Sequence, residues 1–573
     1  MHFTTKMRKR YTITSALIYA NGPIHIGHLA GAYLPADIYS RYLKLKGHDV
    51  AFISGSDEHG AAITIQSKKE DVSPKEIIEK YHSLNKESFK EFGINFDIFH
   101  RTSSKIHHET SQEFFKDLYD NHHLSEKITE EFFDKKNQQF LADRYIRGTC
   151  PKCGFTDAFG DQCESCGCTL SPNELIDPKS TISGEPPIKK ETTHWYLPMN
   201  NHEKWLNEWI NNGKLENTKT HNPNNWKSQV IGQCRSWIEG GLKPRAMTRD
   251  LDWGVKVPIK NLKNKVLYVW MDAPIGYISA TKQWAINSNK NWEDYWTDNN
   301  SELVHFIGKD NIVFHCIIFP ILLKSSKNKY ILPKNVPANE FLNLEGKKLS
   351  TSRNWAIWLH EYLNDFKNQQ DSLRYSLCAT APETKDTDFT WKEFQAKNNN
   401  ELVSIFGNFI NRVLVLTNKY YNGIVPEITY TDDVIDSCIS KLAQYPEKIG
   451  NQLEKYKFRS ALSELMNLCR LGNKFLADNE PWKIHRENPE KTASIMNIAL
   501  QIAGSITILC EPFMPFTSKK LYEMIDIQPK KWDDAGKSNL LIPGHKIKTA
   551  DHLFKKIEDD IIEQQINKLH QTN

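Results

Sequence analysis

A chain of 573 residues is too long for one hydrophobic core and has room for roughly three or four domains. Its 39% hydrophobic and 25% charged residues are ordinary globular proportions, and no long unbroken apolar run argues for a membrane span. The net charge of +4 is small for this length, which excludes a polycationic nucleic-acid binder without excluding a specific one.

Taken in chain order, Met1 to Arg10 is basic with no apolar stretch behind it, so it does not read as a secretory signal. Tyr11 to Leu17 alternates and is rich in β-formers, which predicts a strand. Ala20-Asn21-Gly22-Pro23 breaks it, and from Ile24 to about Lys46 apolar residues recur at helical spacing. Asp49 to Gly55 is a short apolar run of the kind buried in a parallel sheet, completing a βαβ opening. Ser73-Pro74-Lys75-Glu76 is a capping box that starts a helix ending at Gly93. Residues 117–228 change character, being polar, aromatic and cysteine-bearing, and read as an insertion. Strands are predicted again at Lys265 to Met271 and Glu302 to Ile307. From Trp391 onward the pattern is helical, through a last helix-like stretch at Leu553 to Leu569.

Six of the 11 cysteines are scattered and five crowd into Cys150 to Cys168, a distribution that favours a reducing compartment and a metal site. Cys150 with Cys153 and Cys163 with Cys166 form two CxxC knuckles, whose four thiolates suit a tetrahedral structural Zn²⁺. Cys168 is an alternative ligand that breaks the paired spacing.

Two further strings carry phosphate chemistry. Pro23-Ile24-His25-Ile26-Gly27-His28 sits where the first strand gives way to its helix, so free N–H groups and a positive dipole end are at hand. His25 and His28, three apart, share a side of the first turn, and Gly27 permits close approach. Gly346-Lys347-Lys348-Leu349-Ser350-Thr351-Ser352-Arg353 is a glycine-led loop of cations and hydroxyls that can neutralise a triphosphate.

Together these strings resemble the HIGH and KMSKS signatures of class I aminoacyl-tRNA synthetases, and finer matches resemble the methionyl-tRNA synthetases. Ser15 to Gly22 is similar to that family's substrate loop, and Gly55-Ser56-Asp57-Glu58-His59-Gly60 to its DEHG segment. Trp270 to Tyr277 is similar to its WxDAPIGY segment, and Gly308-Lys309-Asp310-Asn311 with His315 and Pro320 to its GKD stretch. Asp478 to Trp482 and the pair Asn408 and Arg412 resemble its anticodon-reading residues.

The resemblance implies an α/β fold: a Rossmann-type parallel-sheet catalytic domain split by a zinc-bearing connective insertion, followed by an all-α anticodon-binding helix bundle. Its halves are expected at 1–116 and 229–325, the insertion at 117–228, a linking segment with the KMSKS-like loop at 326–390, and the bundle at 391–573. ATP falls to His25, Gly27, His28, Gly308, Asp310, Lys348 and Ser350, with Mg²⁺ accompanying it, and His25, His28, Lys348 and Arg249 are the implied catalytic groups. The implied methionine site is Ala16, Leu17, Tyr19, Asp57, Trp270, Ala273, Pro274, Tyr277, His315 and Phe319. Aromatic faces suit a polarizable thioether, and Asp57 suits the α-ammonium. Asn408, Arg412 and Trp482 would meet the anticodon, since an aromatic face stacks on an unpaired base. ATP, L-methionine and tRNA(Met) are the implied partners of a cytoplasmic monomer with no membrane attachment.

Thr351 departs from the pattern, standing where the family has a second lysine, with Lys347 and Arg353 the neighbouring cations. Asn311 stands where some members have an apolar residue and is not counted in the site. A leucine, valine or isoleucine enzyme would want a larger editing insertion. A cysteine enzyme would want zinc at the amino acid itself. A catalytically silent tRNA-binding relative is the rival from another class, and Thr351 is the feature that keeps it open.

Overall fold

The computed structural model describes residues 8–571 except 142, 161, 162, 164, 167, 169, 261, 263 and 352. Most of the basic N-terminal stretch and Ser352 of the second loop therefore lie outside the described residues. A parallel sheet forms the centre, built from β1 (Arg10–Ser15), β2 (Ile18–Tyr19), β3 (Asp49–Asp57), β4 (Ile98–Arg101), β5 (Ser301–Gly308) and β6 (Ala338–Asn339). The order across it is β6-β5-β1-β3-β4, with β2 continuing β1 past a kink to pair with the end of β3. Ile13, Phe52, Ile53, Val304 and Phe306 are fully buried, as strands covered by helices on both faces require.

From β1 the chain passes to β3 on one side, while β5 lies on the other. The carboxyl ends of β1 and β5 thus form a topological switch point, where open α/β sheets bind ligands. Ala16, Leu17, Asp57, Gly308 and Asp310 all lie at this edge.

The predicted helix after Ile24 runs as Ile26–His28, a π-helical turn Leu29–Tyr33, and Leu34–Leu45. A second π turn, Phe314–Ile318, contains His315. Such turns insert a residue into the helical ladder and commonly mark functional sites. The capping box at Ser73 is present, with the Ser73 N–H donating to Glu76 at 2.8 Å, and the helix is Pro74–Glu91.

Two expectations needed correcting. The apolar run from Lys265 to Met271 is a strand only at Val266–Leu267. It then enters the helix Val269–Ser288, because a continuously apolar run fits a largely buried helix as well as a strand. The last helix is Asp559–Gln571 rather than 553–569, opening on two acidic residues in its first turn.

Between β4 and β5 the antiparallel strands Ser125–Asp134 and Ile188–Leu197 carry the cysteine knuckle at their far end. The C-terminal part is helical. Its helix Pro489–Leu509 is long and apolar enough to cross a membrane, but 94% of that apolar stretch is buried inside the bundle as a core helix.

Candidate active site

His25 caps the first helix. Its ring Nδ1 accepts the Gly27 N–H at 3.1 Å, while its own backbone N–H donates to His28 Nδ1 at 3.2 Å. Since both Nδ1 atoms are acceptors, each neutral ring carries its proton on Nε2. The rings stack at 3.8 Å. Burial, helped by His28, pushes His25 well below the usual histidine range, and burial alone lowers His28 to about 4. Both rings are therefore neutral N–H donors at neutral pH.

The second signature loop closes on the first. Leu342–Leu344 and Lys347–Lys348 pair as a hairpin through Glu345 and Gly346, both at positive φ, and the Gly346 N–H donates to Asp388 at 3.0 Å. A Cβ on Gly27 would stand 2.6 Å from Leu349 Cδ1 and 2.9 Å from the His25 ring, so glycine is what lets the loops touch. The Ile26 N–H donates to the Ile357 carbonyl at 3.1 Å and the Leu359 N–H to that of Ile24 at 2.9 Å, which fastens the histidine loop to the segment after the hairpin. Lys347 and Lys348 are exposed and, with Arg353, form no ion pair among the described residues. Ser350 is bridged to Trp355 through the backbone and receives Arg353 Nε at 3.3 Å.

Asp57 ends β3 with only 4% exposure, and no lysine or arginine pairs with it among the described residues. Burial, with Asp272 adding repulsion, pushes its carboxyl up to about 7. A buried acid without a cation is a receptor for one. Leu17 presses on Gly276, where a Cβ would lie 2.7 Å from Leu17 Cδ1, and Tyr19 is 42% exposed beside Asp57.

Tyr277 Oη lies 2.9 Å from His315 Nε2, and His315 Nδ1 lies 3.0 Å from the Asn311 carbonyl. Since a carbonyl only accepts, Nδ1 carries the proton and Nε2 accepts the tyrosine hydroxyl. Burial lowers His315 to about 4, so this ring too is neutral. Phe319 lies 6.2 Å from the Tyr277 ring. Trp270 meets Phe314 edge-on at 4.6 Å and carries the Arg245 guanidinium on its face at 3.8 Å. Ala273 and Pro274 sit in the first turns of the same helix as Trp270 and Tyr277.

The Arg249 guanidinium lies 3.7 Å from the Tyr268 ring, which is 5.5 Å from the ring of Trp270. Gly308 and Asp310 form the turn after β5, held by Lys309 pairing with Glu340 at 2.6 Å and Asp386 at 2.8 Å. In the helical part, Arg412 stacks 4.8 Å over Trp482, which is 36% exposed, and Asn408 lies one turn earlier on the same helix.

Sequence reasoning missed His305, Phe314, Arg245 and Trp253. His305 is fully buried on β5, bonded to Thr14 Oγ1 at 2.6 Å, and packs between Tyr277, His315 and Phe319. A histidine inside the otherwise apolar run Glu302 to Ile307 was the available signal.

Cys150, Cys153, Cys163 and Cys166 bring their Sγ atoms within 4.8 Å of one another, a cluster that could hold a metal. Cys150 to Cys166 is 3.9 Å and Cys153 to Cys163 is 3.6 Å. A tetrahedral site with Zn–S bonds of about 2.3 Å needs sulfurs about 3.8 Å apart, so these thiols fit zinc. Cys168 stands beside them, 3.3 Å from Cys166 and 3.7 Å from Cys150.

Residues 11–414 match the family profile described as tRNA synthetases class I (M), and residues 425–572 that of the anticodon binding domain of methionyl tRNA ligase. The methionine–tRNA ligase of Cytophaga hutchinsonii is 58% identical over 99% of this chain and 82% of its own length. That of Flavobacterium psychrophilum is 59% identical over 98% and 81%. Among solved structures, Mycobacterium tuberculosis methionyl-tRNA synthetase in complex with methionyl-adenylate has the same fold, at TM-score 0.77 and 21% identity, covering 95% of this chain and 99% of that one. By its catalytic and anticodon-binding profiles and its full-length relatives, the chain belongs to the class I tRNA synthetases of the methionyl family.

Proposed function

We propose that the chain activates L-methionine with ATP, giving methionyl-adenylate and pyrophosphate, and then transfers methionyl to the 3′ end of tRNA(Met). The observation that carries this reading is the contact of Leu349 with Gly27, which joins two phosphate-suited loops far apart in the sequence. The methionine carboxylate attacks the α-phosphorus of ATP, so no enzyme-bound covalent intermediate is needed and catalysis rests on position and charge. His25 and His28 donate Nε2 protons to the triphosphate, and Gly27, Gly308, Asp310 and Ser350 complete the nucleotide site. Lys348 follows the charge onto pyrophosphate, with Lys347 and Arg353 beside it in place of the lysine that Thr351 replaces.

Asp57 receives the α-ammonium. Tyr277, His315, Phe319, Trp270, Ala16, Leu17, Tyr19, Ala273 and Pro274 enclose the side chain. Because Tyr277 and His315 satisfy each other, no unpaired donor faces the thioether, which favours a weakly accepting sulfur over a polar side chain. Arg249, on the ring of Tyr268 beside Trp270, assists activation. Mg²⁺ accompanies ATP and offsets its charge. Cys150, Cys153, Cys163 and Cys166 would hold Zn²⁺, which would tie the knuckle together as a structural metal. Asn408, Arg412 and Trp482 read the anticodon. The five-part division of the chain, a monomeric state and a cytoplasmic location belong to the same proposal.

Pyrophosphate exchange with each amino acid tests it. Exchange with methionine that is abolished in His28→Ala supports the reading. No exchange with any amino acid would favour the catalytically silent alternative.

A further inference from the structure

Behind Asp57 lies a buried polar chain that the adenylation chemistry does not use. Asp272, on the helix Val269–Ser288, is fully buried and accepts from histidines of two other elements. His59 Nδ1 lies 2.6 Å from its Oδ2, and His107 Nε2 lies 2.5 Å from its Oδ1. His107, in the first turn of the helix Lys105–Asp120, is also fully buried. Its Nδ1 is 2.9 Å from Ser279 Oγ, whose own proton goes to the Gly276 carbonyl at 3.1 Å. Ser279 therefore accepts from His107, and Nδ1 carries a proton. His107 thus bridges Ser279 and Asp272, with Ser111 Oγ also 3.2 Å from its Nε2.

The chain ends at the substrate side. The His59 N–H approaches Asp57 Oδ1 at 3.4 Å, and Gly276 presses on Leu17. We propose that His107 is a positioning residue for methionine: held against Asp272, it limits the repulsion that Asp272 exerts on Asp57 and so leaves Asp57 able to ionise toward the substrate ammonium. The proposal rests on the functional reading above and adds a residue to it.

Electrostatics agree with the geometry. Burial disfavours charge on Asp272, but His59 and His107 outweigh it and hold the carboxyl well below its usual range. Burial likewise opposes charge on His59, and Asp272 outweighs it and raises the ring. Asp57 faces Asp272, His59, Glu58 and Tyr277. Glu58 is already paired with Arg101 at 2.9 Å, and Tyr277 stays neutral because burial raises it. His107 faces His59, His100 and His108, and burial first lowers the last two to about 4, so both of those rings are neutral.

The test is the pH profile of kcat/KM for methionine in pyrophosphate exchange, with the full chain. His107→Gln keeps hydrogen-bonding capacity but removes the imidazole that holds Asp272 down, so Asp57 ionises at higher pH. Its acid limb should move up, and KM for methionine just below that limb should rise. A limb displaced from pH 7 to pH 8 corresponds to a rise of about tenfold, with KM for ATP unchanged. Asp272→Asn removes the negative charge and should move the limb down. Ser279→Ala, a smaller change for the case in which His107→Gln does not fold, should move it up by less. A uniform, pH-independent loss in these variants, or a displacement of the limb in the same direction by His107→Gln and Asp272→Asn, would overturn the proposal. So would a second metal equivalent in the wild type that is lost in His107→Gln, because the three side chains would then be ligands. If the wild type itself shows no methionine-dependent exchange, it is the functional reading that fails.

Discussion

At the scale of single residues, burial does most of the electrostatic work. The paired histidines His25 and His28 of the first loop are kept neutral, whereas Asp57 is pushed up to about 7. The two substrates should therefore respond differently to acid. Below about pH 7 Asp57 takes up a proton and loses its attraction for an ammonium, so KM for methionine should climb as pH falls. KM for ATP should not follow, because His28 protonates only near 4. Initial rates at fixed saturation of one substrate separate the two. A parallel rise of both constants would contradict the assignment of Asp57 to the amine. These residue types were legible in sequence as motifs. Their protonation states were not, because they follow from what packs over them.

At the scale of elements, two contacts carry the argument. The hairpin Leu342–Lys348 rests on the helix start through Leu349 and Gly27, and no slack exists for another carbon there. Gly27→Ala should cut pyrophosphate exchange at least about tenfold, a loss of about 1.4 kcal/mol in transition-state binding, while leaving the circular dichroism spectrum unchanged. Wild-type exchange in that variant would show that the loops need not touch. The knuckle is the other contact. The purified chain should carry about one zinc, and Cys153→Ser should lower that content and expose 146–180 to protease. An unaltered zinc content would point to Cys168 as a replacement ligand, since it stands 3.3 Å from Cys166. Spacing alone could nominate the two knuckles. It left Cys168 as an alternative, and only the structure sets its sulfur 3.3 Å from Cys166 and 3.7 Å from Cys150.

At the scale of the whole molecule, a buried arginine ties three parts together. Arg374, in the linking segment, donates from Nη2 to Asp37 at 2.6 Å, and reaches the carbonyls of Pro512 at 3.0 Å and Phe513 at 2.9 Å in the bundle. Arg41 shares Asp37 at 2.9 Å. Burial pushes the Asp37 carboxyl up, but the guanidiniums of Arg41 and Arg374 outweigh it and hold it below its usual range. Its stabilising contribution is thus complete above the unfolded value of about 3.9 and is lost as pH falls from there through the lower folded value. Arg374→Met leaves these carbonyls and part of the carboxylate without a partner and should cost about 3–5 kcal/mol. Urea unfolding should then split into separate transitions for the catalytic and helical parts. An unchanged single transition would show that apolar packing alone couples them.

The sequence by itself determined the family, the βαβ opening, the two signature loops, the zinc-suited cysteines and the helical character beyond Trp391. Each is written in local spacing or in a short string whose chemistry depends on its own neighbours. It misassigned the run from Lys265 to Met271, because an unbroken apolar run has no period to tell strand from helix. Tertiary structure alone decided that Leu349 meets Gly27, that His305 joins Tyr277 and His315, and that Arg249 rests on Tyr268. It also gathered His59, Asp272 and His107 from three separate elements into one bonded chain. The physical reason is common to all of these. They are contacts between residues distant in sequence, and their geometry is set by how the sheet, the insertion and the linking segment pack on one another.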